Sequence, residues 1–170
     1  MKFEVTHLNP WKPDYYYNTI SDIPLSLLKE AGIRAVICDL DNTLDCHETP
    51  VPSEKALDFL NTLKNMGFDV CIISNGKQAR VDRYVQGLGI PAIAKAGKPA
   101  KRSYMKALKT IKCKPGAAAF VGDQIFTDVW GAKRLGITTI LVEPIKSIEN
   151  PFFYPKRFLE KLIKANLEKE

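Results

Sequence analysis

Two aspartates stand two residues apart where an apolar run ends, in Val36-Ile37-Cys38-Asp39-Leu40-Asp41-Asn42-Thr43-Leu44. In an extended chain residues i and i+2 point to the same side, so the spacing predicts two neighbouring carboxylates. Such a pair repels, and burial makes both charges costlier. A fold keeps the pair when a cation lies between them or when one of them reacts. Thr43 adds a hydroxyl one step further on. A carboxylate nucleophile, a second carboxylate for acid–base work and a hydroxyl for an anionic oxygen make a set suited to phosphoryl transfer. The same run also fits a strand followed by an Asp-Asn turn, because both residues favour turns for local reasons. Taken alone, it leaves both readings open.

Three further features bear on the choice. The apolar run Val70-Cys71-Ile72-Ile73 ends in Ser74-Asn75-Gly76. Lys98-Pro99 follows the short stretch Pro91-Ala92-Ile93-Ala94. Ala118-Ala119-Phe120-Val121 ends in Gly122-Asp123, with Asp128 five residues on. Each polar group falls at or just past the C-terminal end of a predicted strand. In an open parallel α/β sheet that is the edge where ligand sites form.

In this order the features resemble the haloacid dehalogenase (HAD) superfamily. Asp39-x-Asp41-x-Thr43 is similar to its first motif, Ser74 to its second, Lys98 to its third, and Asp123 with Asp128 to its fourth. Length and motif spacing resemble the small capless YqeG-type phosphatases, which are similar to phosphatidylglycerophosphate phosphatases. The resemblance implies a three-layer α/β/α, Rossmann-like fold with a mostly parallel central sheet and no folded cap. It implies one domain over residues 1–170, with a core at about 34–143 and the two end segments packed around it.

The resemblance also assigns roles. Asp39 is the nucleophile that forms an aspartyl-phosphate, and Asp41 the acid and then the base. Mg²⁺ is held by Asp39, the backbone carbonyl of Asp41 and Asp123, with Asp128 supporting Asp123 or the coordinated waters. Lys98 neutralises Asp39 and the phosphoryl group. Thr43, Ser74 and the neighbouring amides, with Asn75 among them, bind phosphoryl oxygens. Asp41 favours phosphatase or phosphotransferase chemistry, because dehalogenase branches lack an aspartate there. His7 and His47 are read as incidental, and Gly76 and Gly122 as residues permitting tight turns.

The elements that must position these residues alternate. Strands are expected at about 34–40, 69–74, 92–94, 117–122 and 138–143, with helices at about 53–66, 77–87, 100–112 and 127–135. Ser53 suits an N-cap and Gly67 a helix C′ position. Leu57, Leu60 and Leu63 read as a buried stripe, as do Tyr104, Leu108 and Ile111. This alternation predicts a mostly parallel sheet with helices on both faces. Upstream, Trp11 and Tyr15-Tyr16-Tyr17 are read as packing over the sheet edge, with a substrate rim as the alternative, before a helix around 25–31. Downstream, Phe158, Leu159, Leu162 and Ile163 share one helical face, read as docking on the core, with membrane-surface contact as the alternative.

With 45% apolar residues the chain resembles an ordinary globular protein. No apolar run reaches the roughly 18 residues of a membrane span, and no secretory h-region is visible. Cys38, Cys46, Cys71 and Cys113 form no C-x-x-C pair, which argues against a zinc or disulfide framework and for a reducing cytoplasm. The net charge of +6 is concentrated: Arg83 to Gly122 contains no Asp or Glu. That field suits a phosphorylated substrate and an anionic membrane surface, with a merely solvated helix face as the alternative. No specific nucleic acid is expected, and oligomeric state is not legible.

The intervals Asp41–Ser74 and Ser74–Lys98 are too short for an inserted cap, so an open site is expected. It would suit a phosphate carried on something large. Phosphatidylglycerophosphate is the substrate that the family resemblance and the basic stretch favour. The alternatives are a small phosphometabolite, a nucleic-acid end, a phosphoprotein, or a non-catalytic phosphate-binding module. A binding module has no need of both Asp39 and Asp41.

Overall fold

The computed structural model describes residues 9–146. In chain order the elements are β1 (Tyr15–Tyr17), a 3-10 turn (Ile20–Asp22), α1 (Leu25–Glu30), β2 (Ala35–Cys38), α2 (Glu54–Asn65), β3 (Asp69–Ile73) and α3 (Gln78–Val85). Then come β4 (Ala92–Ile93), α4 (Lys101–Thr110), a 3-10 turn (Pro115–Ala117), β5 (Ala118–Gly122), a π-helical turn (Ile125–Val129), α5 (Trp130–Lys133) and β6 (Thr138–Val142). The strands form one parallel six-stranded sheet in the order β1-β6-β5-β2-β3-β4. β2 lies inside it, with Ile37 level with Cys71 on β3 and Phe120 on β5.

Side-chain alternation along the strands divides the core into two layers. Val36, Cys38, Val70 and Ile72 share a cluster with Phe59, Leu60 and Leu63 of α2 and Val81 and Tyr84 of α3. Ile37, Cys71, Ile73 and Phe120 share the other with Tyr104, Ala107 and Leu108 of α4 and Ala132 of α5. The strand order reverses beside β2, where successive crossovers go to opposite faces. That switch point is where an α/β sheet opens a crevice at its C-terminal edge.

Local chemistry sets the element ends. Ser53 Oγ accepts from Ala56 N at 3.3 Å and caps α2, while Gly67, at φ +78°, takes the left-handed position after it. The buried stripe of α2 is Ala56, Phe59, Leu60 and Leu63, with Leu57 half-buried at its margin. The i, i+3, i+4, i+7 spacing of those four fits the core better than 57, 60 and 63 do. Tyr104, Leu108 and Ile111 are buried as their spacing predicts.

Two expectations need correcting. Tyr15–Tyr17 is not a rim but a sixth strand at the sheet edge, paired in parallel with Ile140–Val142 of β6, and Tyr16 packs with Ile125, Val129 and Leu141, with Trp11 against them. The helix expected at 127–135 begins instead as a wide turn, in which Val129 N reaches Gln124 O at 3.2 Å and Trp130 N bonds Ile125 O. Asp128 causes this: its Oδ2 folds back to accept from Gln124 N at 3.0 Å. Each of the intervals Asp41–Ser74 and Ser74–Lys98 holds one helix and one strand, so no folded unit is inserted over the edge. Among the described residues no helix is long and apolar enough to cross a membrane. His7 and the 158–163 stripe lie outside the described residues.

β1 is fastened by a buried ion pair. Lys133 Nζ lies 2.8 Å from Asp14 Oδ1, and Asp14 Oδ2 accepts from Thr139 N and Oγ1, each at 2.8 Å. Breaking one half of such a pair strands a buried charge. Asp14→Asn is therefore expected to lower unfolding free energy by about 3 kcal/mol. Glu48→Gln, which removes the charge from the exposed pair with Lys146, should leave it nearly unchanged. Urea denaturation of both variants checks the contrast.

Candidate active site

All four sequence motifs arrive at one edge of the sheet. Asp39 is the first residue past β2, and its N–H still pairs with Val121 O at 2.9 Å. The chain then turns through Asn42, at φ +67°, and closes with Asn42 N to Asp45 O at 2.7 Å. Asparagine tolerates this left-handed conformation better than most residues. Ser74 is the first residue past β3, Lys98 follows β4, and Asp123 is the first residue past β5. The Lys98–Pro99 peptide is cis.

The floor of the site is a buried charge cluster. Lys98 Nζ lies 2.6 Å from Asp39 Oδ1 and 2.7 Å from Asp128 Oδ1. Thr43 Oγ1 lies 3.3 Å from Asp39 Oδ2 and 3.4 Å from Asp123 Oδ1. Burial pushes the Asp39 carboxyl up to about 7; Lys98 opposes the rise and Asp128 adds to it. Burial works against the Lys98 ammonium, but Asp128 and Asp39 outweigh it and hold its pKa above the usual lysine value.

Asp123 directly follows β5, and Asp128 comes from the wide turn after it. A β-carbon built at Gly122 would lie 2.5 Å from Asp128 Cβ and 2.6 Å from its Oδ2. Gly122 therefore provides room for Asp128 rather than an unusual backbone angle. Gly76 is similar, since a β-carbon there would lie 3.0 Å from Ser74 Oγ and 3.3 Å from Asp41 Oδ2. Asp39, Asp123 and Asp128 bring carboxylate oxygens within 4.8 Å of one another. An all-oxygen, multiply anionic donor set fits a hard divalent cation. Within that set Asp128 has one oxygen on Lys98 and the other on Gln124 N, and Asp39 has one on Lys98 and the other beside Thr43 Oγ1.

Asp41 stands apart from that cluster, with different partners. Its Oδ2 accepts from Ser74 Oγ at 3.0 Å, and its Oδ1 from Arg80 Nη2 at 3.1 Å. His47 Nδ1 lies 3.2 Å from the same Oδ1. The Asp41 side chain is 21% exposed against 6% for Asp39. One carboxylate thus lies on the floor and the other at the mouth. The repulsion expected of an i, i+2 pair is relieved by two separate cations, Lys98 for Asp39 and Arg80 for Asp41.

Several residues gain places that sequence reasoning did not give them. Asn75 binds the Lys98 backbone both ways, its Oδ1 accepting from Lys98 N at 2.8 Å and its Nδ2 donating to Lys98 O at 3.3 Å. Its side chain thereby fixes the lysine loop. Arg80 and His47 both lie against Asp41, the first partly buried and the second on an exposed loop. Asp45 accepts from Tyr84 OH at 2.6 Å and from Ser53 N at 3.0 Å, tying the turn to α3 and to the start of α2. The i, i+4 spacing of Arg80 and Tyr84 places them on one face of α3, but only the tertiary structure shows which face. The basic stretch divides: exposed Lys101 and Arg102 begin α4 at the site edge, whereas Lys109, Lys112 and Lys114 lie toward the opposite edge, where β5 starts.

A parallel doubly wound sheet with these motifs on its C-terminal edge defines a class, and sequence comparison agrees. The model of the haloacid dehalogenase-like hydrolases matches residues 25–136, and the chain belongs to that enzyme family. It is 34% identical over 158 residues to "Probable phosphatase YqeG" of Bacillus subtilis, covering 93% of this chain and 92% of that protein. It is 30% identical over 117 residues to glyceraldehyde 3-phosphate phosphatase of Pyrococcus furiosus, covering 64% of this chain and 48% of the relative. A third relative is phosphatidylglycerophosphate phosphatase 1 of Arabidopsis thaliana, 25% identical over 141 residues, covering 76% of this chain and 40% of that protein.

An acid whose pKa rises on folding supports the fold while protonated and withdraws that support as pH increases. For Asp39 the window runs from its ordinary 3.8 to about 7. The metal-free protein is therefore expected to lose unfolding free energy across that range. Asp39→Asn should flatten this part of the profile and raise the thermal midpoint above pH 7. A divalent cation should raise the midpoint of the parent more than that of the variant. Thermal unfolding against pH, with and without the cation, checks all three outcomes.

Proposed function

We propose that this chain is a Mg²⁺-dependent phosphatase that hydrolyses a phosphate monoester through an aspartyl-phosphate on Asp39. The observation that carries this reading is the separation of the two aspartates. Asp39 is buried on Lys98 beside Asp123, and Asp41 stands at the mouth on Ser74 and Arg80. That division suits a nucleophile at the floor and an acid–base group facing the leaving part of the substrate.

In the first step an Asp39 carboxylate oxygen bonds to phosphorus as the ester P–O bond breaks. The bonding pair goes to the leaving oxygen, which takes the proton of Asp41. In the second step Asp41, now a carboxylate, takes a proton from water as the water oxygen bonds to phosphorus. The Asp39–phosphate bond breaks, releasing inorganic phosphate and restoring both aspartates. Lys98 balances the charge of Asp39 and the phosphoryl oxygens throughout. Thr43 and Ser74 turn their hydroxyls toward those oxygens, joined by the Asn75 backbone amide. Asp39, Asp123 and the Asp41 carbonyl would hold Mg²⁺, with Asp128 in support. When bound, the ion neutralises phosphoryl charge and lets an anionic nucleophile approach.

The substrate class follows from the short intervals between the motifs. Nothing folded is inserted between the motifs, so the phosphate can be presented on a large carrier. Phosphatidylglycerophosphate in an anionic bilayer fits best. The similarity to the Arabidopsis enzyme supports it, as do exposed Lys95, Lys101 and Arg102 on loops and a helix start at the site edge. A small phosphorylated metabolite is the second reading, supported by the similarity to the Pyrococcus enzyme.

Asp39→Asn should reduce turnover of an aryl phosphate to background while the protein stays folded, because an amide cannot attack as an anion. EDTA should do the same to the parent protein, and added Mg²⁺ should restore it. Steady-state kinetics with circular dichroism checks both, and turnover in the Asn variant would rule out the covalent route.

Reversing the charge of Lys101 and Arg102 should lower hydrolysis of phosphatidylglycerophosphate in anionic vesicles by about tenfold or more relative to a soluble ester. The basis is roughly 1 kcal/mol for each cation near such a surface. Equal losses on the two substrates would instead favour the small-metabolite reading.

A further inference from the structure

Three side chains meet the Asp41 carboxyl, Ser74 and Arg80 as donors and His47 through Nδ1, and they are not equivalent. Ser74 is also assigned to the phosphoryl oxygens, so its hydrogen bond to Asp41 changes when substrate enters. His47 is 68% exposed on its loop. Arg80 is different: its side chain is 14% exposed and held on several sides. Nη2 donates to Asp41 Oδ1 and to Cys46 O, each at 3.1 Å. The guanidinium lies 5.4 Å from the Tyr84 ring centroid. Tyr84 in turn donates to Asp45, so one face of α3 grips the motif turn at Asp41, Asp45 and Cys46.

Arg80 also has an energetic cost. Its Nε and Nη1 are buried with no hydrogen-bond partner. Buried donors without acceptors destabilise a fold. An apolar residue of similar length would pack over Tyr84 without that penalty. What the guanidinium adds, and an apolar chain would not, is a fixed donor to a half-open carboxylate that must meet a leaving oxygen at one angle.

We infer that Arg80 is a positioning residue for Asp41: anchored by Tyr84 and the Cys46 carbonyl, it orients the carboxyl that protonates the leaving group. This rests on the reading of Asp41 as the acid. Arg80 itself touches neither phosphorus nor the leaving oxygen in this scheme, and the bonds made and broken are those already given.

A misdirected acid matters in proportion to how badly the leaving group needs its proton. Phenyl phosphate needs protonation and 2,4-dinitrophenyl phosphate hardly does, while both present an aryl ring to the site. In Arg80→Met the ratio of kcat/KM for phenyl phosphate to kcat/KM for the dinitrophenyl ester, which reports the first step where the leaving groups differ, is expected to fall by about 30-fold or more. Asp41→Asn should lower the same ratio, and the double variant should lower it little beyond Asp41→Asn alone. Tyr84→Phe, which loosens the turn at Asp45, should move both esters together. Arg80→Lys keeps a cation within reach of Asp41, should recover part of the ratio, and serves if the Met variant does not fold.

Equal loss on both esters in Arg80→Met, or an unchanged ratio in folded Arg80→Met and Arg80→Lys, overturns the inference and leaves Arg80 as a structural tie. Failure of the underlying reading looks different. The parent would then turn over neither ester, or Asp39→Asn would retain turnover.

Discussion

The ammonium of Lys98, buried between Asp39 and Asp128, is the interaction on which the candidate site depends. Three carboxylates converge beneath the sheet edge, and an unpaired charge cannot be kept there cheaply. Lys98 offsets part of that charge, and the chain spends much of its local structure in placing it. The Asn75 side chain holds the Lys98 backbone. Gly122 leaves room for Asp128, and the wide turn from Ile125 to Val129 folds the Asp128 carboxylate back toward its own start. A regular helix beginning at Gln124 would aim that side chain elsewhere.

Lys98 meets Asp39 and Asp128, and Asp123 brings a third carboxylate oxygen within 4.8 Å of theirs, which links fold to function. Such an all-oxygen set could hold a divalent cation, and a ligand that binds only the folded state adds to its stability. Asp39 registers its surroundings most directly, with burial and Asp128 outweighing Lys98. The other aspartate of the motif escapes the cluster because α3 supplies it with Arg80. Two acids separated by one residue thus receive different cations, different exposure and different partners. Chemistry that needs a nucleophile and an acid at once depends on that asymmetry.

Much of this was legible in the chain. Asp39-x-Asp41-x-Thr43, Ser74, Lys98 and Asp123 with Asp128 each follow an apolar run, and the runs alternate with helical patterns. A parallel sheet must then collect them at its C-terminal edge. Ser53 and Gly67 marked the ends of α2 by their own local chemistry. β1 was hidden because three consecutive tyrosines carry no period-two alternation, and its partner β6 lies more than a hundred residues away. The π-helical turn was hidden because its cause, a carboxylate returning to Gln124, is a tertiary demand of the site. Arg80 and His47 were hidden for a related reason: polar residues on a helix and a loop look alike whether they meet solvent or a carboxylate.

The linear pattern of the chain already carries the repertoire: which groups exist, that they sit at strand ends, and that no folded unit is inserted between them. Those features follow from hydrophobic periodicity and chain length, which are local properties. Only the tertiary structure decided how the groups pair: Lys98 with Asp39 and Asp128, Arg80 with Asp41, and Asn75 with the lysine loop. Pairing depends on angles and distances between elements far apart in the chain. The energy of a charge depends on its burial, which a linear sequence does not carry.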